Sequence, residues 1–302
     1  MLDAQAKPAA VKNYPEAKVV SQHANKTNTV ATDSSAVEIS FDDLRRRQIK
    51  LQSSFNLNFV CNRFEIINNK LWCVERNTNR VHIYSTDGAK QRIIDSDVIA
   101  GASGITRFID KALVSATMGL FTISLDGRHD VSKVFDGQFG DVCSRGNLVY
   151  ALTVATPAEV ITISYSGTLD TFTKQKAYKL VNYNNNDLNT IQVTSDHVFV
   201  AQYFSHVIQQ YTLDGQLIRS HNTYGSSGVK LSEPFLSGCD RFNSVLVTGW
   251  NHHLDLLKAD GRFHTLPFDD SISFPVCARI HDDKLYVVCW VGKRPIQVFS
   301  II

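Results

Sequence analysis

The chain of 302 residues contains no apolar run near eighteen residues, and its first twenty-five residues lack the apolar core that follows a basic start in a secretory signal. These absences read the protein as soluble and intracellular, in the cytoplasm. Charge of one sign is missing too: 31 Lys and Arg stand against 29 Asp and Glu, a net +2, so no overall field draws the chain onto DNA or an acidic membrane. No CxxC pair is present. Cys61, Cys73, Cys143, Cys239, Cys277 and Cys289 are widely spaced and read as small buried hydrophobes rather than metal ligands or disulfides. The Asn25-Lys26-Thr27 sequon then reads as chance. Catalytic signatures are equally scarce: there is no GxSxG elbow, HExxH, Walker loop or GxGxxG, and AGASG (100–104) has the wrong spacing for a nucleophile elbow. No cofactor is implied, and a non-enzymatic role is the expectation.

Helical spacing of apolar residues is hard to find after residue 50, whereas an aromatic share of 10% and a hydrophobic share of 43% suit pleated, half-buried strands and a sizeable core. Residues 1–40, rich in Ala, Lys, Ser, Thr and Asn, read as a flexible leader or linker. The folded domain is expected over 41–302.

Within that domain one hairpin returns. Two-residue turns occur at Asp87-Gly88, Asp126-Gly127, Ser166-Gly167, Asp214-Gly215 and Asp260-Gly261, with glycines 39, 40, 48 and 46 residues apart. Glycine accepts the positive φ that such turns demand. Ahead of each turn runs a second series: KLWCVE, ALVSAT, LVYALT, HVFVAQ, SVLVTG and finally KLYVVC, six copies in all, each preceded by an apolar strand ending in a short polar turn. The unit is strand a, tight turn, strand b, longer loop, strand c, Asp-Gly turn, strand d. The sixth unit stops before its strand d, and RRQIKLQSSF (46–55) resembles the other d strands while having no hairpin of its own. It is expected to complete the last unit and close a ring, which removes exposed sheet edges. The predicted fold is all-β: a six-bladed β-propeller of four-stranded blades.

LWCVERNTNRVHIYSTDGAKQ, with Asn79-Arg80-Val81-His82-Ile83-Tyr84 and Asp87-Gly88, and after it VFVAQYFSHVIQQYTLDGQL, resemble the repeat of the NHL family of six-bladed propellers; Glu75 stands where that family usually has aspartate. The resemblance covers about residues 46–302. It implies the propeller fold and, through the tripartite-motif class of such propellers, either protein binding or single-stranded RNA binding.

In the predicted geometry the b–c and d–a loops share one mouth of the central channel, opposite the stereotyped tight turns, and varied loops on a rigid scaffold are where binding resides. The b–c loops of blades 4, 5, 6 and 1 supply Tyr203, Phe204, His206, Trp250, Asn251, His252, Trp290, Lys293, Arg294, Arg76, Asn79 and Arg80, a continuous arc, with blades 2 and 3 a blander half. Tyr, Trp and Arg dominate protein hot spots, and rings with cations also suit RNA bases and phosphates. The few cations are thin for phosphate binding. A protein or peptide partner is therefore the first expectation, single-stranded RNA the second, with neither DNA nor membrane as partner. A third reading is a metal-dependent hydrolase or lactonase. Gluconolactonase-type propellers hold a divalent ion with Glu, Asn and Asp on inner strands; here the a strands offer Glu65, Asp141 and Asp240 without a suitable Asn. Those carboxylates read better as turn caps or solvated channel groups. His252 and His253 point to opposite faces of an extended strand, so no metal site is expected. YNNNDLN (183–189) reads as a surface turn.

Overall fold

The structure, a computed structural model, describes residues 40–302 apart from 127, 183–188, 223–231, 241, 251–252, 269–271, 273 and 291–294. One helical turn, α1 (Phe41–Leu44), leads into β1 (Ile49–Phe55). Blade 1 is β2 (Cys61–Ile67), β3 (Lys70–Glu75), β4 (Arg80–Ser85) and β5 (Lys90–Asp95); blade 2 is β6 (Gly104–Phe108), β7 (Lys111–Ala116), β8 (Gly119–Ser124) and β9 (Val131–Phe135). Blade 3 comprises β10 (Phe139–Arg145), β11 (Leu148–Thr153), β12 (Glu159–Ser166) and β13 (Thr171–Lys179), and blade 4 comprises β14 (Asn189–Val193), β15 (His197–Gln202), β16 (Val207–Thr212) and β17 (Leu217–Asn222). Blade 5 is thinner: β18 (Phe235–Cys239), β19 (Val245–Thr248), β20 (Asp255–Leu257) and β21 (Phe263–Thr265).

Blade 6 takes three strands from the end of the chain, β22 (Pro275–His281), β23 (Lys284–Cys289) and β24 (Ile296–Ile301), and its outer strand from the beginning: the order is β1-β24-β23-β22. The antiparallel register runs from Ile49 opposite Ile301 to Phe55 opposite Ile296. The inner strands β2, β6, β10, β14, β18 and β22 touch in a closed circuit. The fold is thus six four-stranded antiparallel blades in a ring, as the repeat predicts.

Strand b reads as a continuous apolar run because both of its faces are covered. In β3, Leu71 and Cys73 enter the core shared with blade 6, while Trp72 and Val74 enter the core shared with blade 2. The period of two sends alternate side chains to opposite neighbours, so every blade interface has its own apolar layer. The Asp-Gly turns pack tightly as well. Gly88, Gly215 and Gly261 have φ of 93°, 88° and 88°, and a Cβ on each would overlap the outer strand of the preceding blade: Phe55, Tyr178, and Arg219 with His221, respectively. Gly127 lies outside the described residues.

All six cysteines are among the described residues and none forms a disulfide. Burial pushes the Cys143 thiol well above its usual range. Among the described residues no helix is long and apolar enough to cross a membrane.

Candidate functional site

The a strands start, and the b strands end, at the same mouth. Around it opens a cavity of about 310 Å³ lined by Asn62 and Arg63 of blade 1, Ser103 and Thr117 of blade 2, Phe139, Thr153 and Val154 of blade 3, Asn189 and Thr190 of blade 4, and Phe235 of blade 5. It leans toward blades 1 to 4 rather than sitting under the arc of blades 4, 5, 6 and 1.

An ion pair that sequence reasoning missed joins the inner strands beside this cavity. Arg63 Nη2 lies 3.0 Å from Asp141 Oδ2, both side chains 6% exposed. Arg63 Nη1–H donates to the Leu236 carbonyl at 3.0 Å, and the Ile191 N–H donates to Asp141 Oδ2 at 3.0 Å. The guanidinium also lies 5.8 Å from the Phe235 ring centre. Blades 1, 3, 4 and 5 therefore meet at one carboxylate and one guanidinium. Blade 2 makes room for them: a Cβ on Gly104 would overlap Asp141. Bulges between Cys61 and Arg63 and between Phe139 and Asp141 precede both charged residues, and a bulge re-aims the side chain that follows it. The available signal was positional, since both residues stand third in their inner strands.

The other channel carboxylates are also committed. Glu65 Oε2 pairs with Arg279 Nε at 3.1 Å. Burial works against the Arg279 charge, but the adjacent Glu65 outweighs it and holds the guanidinium pKa above its ordinary value. Asp240 accepts from Phe242 N–H (2.9 Å) and Ser244 N–H (2.8 Å) in its own turn and from Phe41 N–H (3.0 Å) in α1. Among the described residues no group of three or more His, Cys, Asp or Glu is placed to hold a metal ion.

Within the expected arc, Trp250 and Trp290 meet edge to face with centroids 5.2 Å apart, Trp250 packs on Phe274 at 5.1 Å, and the Arg76 guanidinium lies 5.8 Å from the Trp290 ring. This ladder crosses blades 5, 6 and 1. Phe204 is 53% exposed at the rim, whereas Tyr203 is buried against Phe235 and Phe204, each at 4.8 Å. His206 Nδ1 accepts the Glu233 N–H at 2.9 Å. Asn79 donates to Asp97 at 2.9 Å and Arg80 to Asp95 at 2.7 Å, so both pin strand β5 and the loop after it. Asn251, His252, Lys293 and Arg294 lie outside the described residues, as does most of 183–189. Beside the ladder, His82 Nε2 is 2.8 Å from Glu75 Oε2 and its ring stacks on Phe59 at 3.8 Å. Burial lowers the His82 pKa against the opposing pull of Glu75.

The half expected to be blander also carries exposed apolar side chains. Met118 (59% exposed), Val154, Val98 and Val181 lie in mouth-face loops in or next to blades 2 and 3, as Val60, Phe204 and Trp250 lie in those of the other blades, and all are exposed; of these Val154 lines the cavity. Single exposed aliphatics carry no composition signal, so only the shared face makes them a group.

No family model and no curated protein matches the sequence, and the NHL resemblance rests on the repeat string alone. The fold, by contrast, is similar to that of many solved structures. Virginiamycin B lyase from Staphylococcus aureus shares 11% identity at a TM-score of 0.55, over 84% of this chain and 89% of that one. An auxiliary nutrient binding protein from Bacteroides thetaiotaomicron shares 10% at 0.58, over 84% and 77%. A Bacteroides thetaiotaomicron protein of unknown function shares 10% at 0.62, over 85% and 76%. An enzyme and a binding protein thus stand at the same distance, and at such identities the likeness shows the propeller fold alone.

Proposed function

We propose that the protein is a non-catalytic interaction module whose mouth face docks an uncharged, partly apolar peptide segment of another intracellular protein. The observation that carries this reading is the set of exposed apolar side chains on the mouth-face loops, together with a cavity on that face whose charged residue, Arg63, is already balanced by Asp141. Such side chains contribute by excluding water from a central contact. Charge on the face supports a peptide over single-stranded RNA. Arg80 is paired with Asp95 and Lys133 with Asp136, and Asp97, Glu159 and Glu233 share the same loops, which is a poor match to a run of phosphates. Six cysteines outside disulfides agree with a reducing compartment.

The test is selection from a random phage-displayed peptide library on the full chain. Enriched peptides are expected to be poor in charge, and the triple variant Met118→Asp, Val154→Asp, Phe204→Asp is expected to lose them at least tenfold. The folding stability should stay within about 0.5 kcal/mol, as exposed positions do. Enriched peptides that bind the triple variant equally well, or crosslinking at physiological salt that recovers RNA while no peptide is enriched, would overturn the reading.

A further inference from the structure

We infer that the mouth cavity is a specificity pocket for an uncharged group presenting a carbonyl oxygen, a glutamine or asparagine side chain being the best match; this deepens the peptide-docking reading and rests on it. The inference comes from counting donors and acceptors. Thr153 Oγ1 accepts the Glu159 N–H at 2.8 Å, and Thr190 Oγ1 accepts the Leu236 N–H at 2.8 Å. Among the described residues neither hydroxyl donates a hydrogen bond, so each keeps its proton for a ligand. Both residues are buried and line the cavity on adjacent blades. The neighbouring hydroxyls of Ser103 and Thr117 are different: they donate to the carbonyls of Phe139 (3.1 Å) and Ala100 (2.7 Å). At the floor, Arg63 uses two of its five N–H bonds, on Leu236 and Asp141. Two cavity hydroxyls and the remaining N–H bonds of Arg63 are therefore available as donors, beside the amides of Asn62 and Asn77, which can donate or accept.

Free hydroxyl donors select an acceptor, the neighbouring amides suit a group that carries both a carbonyl and an N–H, and the ion pair decides its charge. A carboxylate entering the cavity would stand close to Asp141, whose charge Arg63 already balances, and an ammonium would face the Arg63 guanidinium. Either leaves an excess charge out of water. A neutral carbonyl satisfies the donors without that excess, and an aliphatic group leaves them unpaired, which is how buried polar groups reject the wrong partner.

The probes are N-acetyl-glutamine methylamide and its glutamate, lysine and leucine counterparts, titrated by NMR against the full chain. The glutamine compound is expected to bind at least tenfold more tightly than the other three. Thr153→Val with Thr190→Val should weaken it at least tenfold, whereas Thr153→Ser with Thr190→Ser, which keeps both hydroxyls, should retain it and shows that loss in the valine pair is not a folding defect. Phe204→Asp, on the rim, should leave the small probe unaffected. Equal binding of the leucine or glutamate compound, no binding of any probe, or an unchanged valine pair overturns the inference. Library peptides that need the rim yet ignore Thr153 and Thr190 would sink the pocket and leave the docking reading standing. A glutamine probe that binds while no peptide uses the rim would sink the docking reading.

Discussion

Arg63 and Asp141 have the largest structural consequence of any two side chains at the site, because each is nearly inaccessible and charged. Removing one partner leaves the other buried and uncompensated, which costs about 3–5 kcal/mol. Arg63→Met and Asp141→Leu should each show that loss in denaturant unfolding, and the double variant should lose distinctly less than the sum of the two. An additive result would mean that the contact carries no coupling. His221 gives a second prediction at this scale. Burial, helped by Arg219, lowers its pKa from 6.5 to about 4. In the unfolded chain it takes a proton from about pH 6.5 downward, whereas in the fold it resists until about pH 4, so its contribution is present in full above pH 6.5 and is lost as pH falls toward 4. The amount is on the order of 3 kcal/mol. Between pH 7 and 4.5, wild type should therefore lose more unfolding free energy than His221→Gln. Parallel curves would show that this histidine is not the responsible group.

At the scale of the element, the Asp-Gly turns are interblade joints as well as hairpin ends. Gly215 combines a φ of 88° with a position where a Cβ would overlap Tyr178 of β13. Strain of this kind costs about 1–3 kcal/mol, with overpacking in addition. Gly215→Ala should lower the unfolding free energy by at least the strain, and Gly146→Ala, where φ is also positive but nothing lies within 4 Å of the new Cβ, should lose less. Equal losses would show that the interblade packing of the turn contributes nothing. The Asp-Gly turns at Gly88, Gly215 and Gly261, the six b strands and the missing final strand were legible in the sequence because each is set by local chemistry: positive φ, a period of two, an apolar run covered on both faces. Gly167 of the Ser-Gly turn does not take the positive φ expected of it. The contact between a turn and the preceding blade was not legible, since Gly215 and Tyr178 are 37 positions apart in the sequence and nothing local marks them as neighbours.

At the scale of the whole molecule, β1 closes the ring. Without it β24 exposes a full row of unpaired backbone groups, and the core of Phe41, Leu44 and Ile49 with the strands of blades 5 and 6 loses its cover. A chain starting at residue 57 should aggregate in light scattering at concentrations where the full chain stays dispersed. Adding back a peptide of residues 40–56 should reduce the aggregation, and failure of both effects would show that closure by β1 is dispensable. Closure also defines the site, because the cavity exists only where inner strands from several blades converge. The arc expected across blades 4, 5, 6 and 1 was drawn from residue types in loops. Within it Trp250, Trp290 and Arg76 do come together, while Tyr203 turns into the core and Arg80 is spent on Asp95. Loop sequence records which residues are near the mouth but not which way each points.

The repeat by itself therefore determined the number of blades, the strand order and which loops share a face, because hydrophobic alternation and turn geometry act over a few residues and recur six times. Only the tertiary structure decided that Arg63 meets Asp141, that Thr153 and Thr190 line one cavity, and that aliphatics of the blander half are exposed on the mouth face. Those outcomes depend on side chains 37 to 78 positions apart, Thr153 with Thr190 and Arg63 with Asp141, brought together by ring closure, and a one-dimensional pattern holds no trace of that distance.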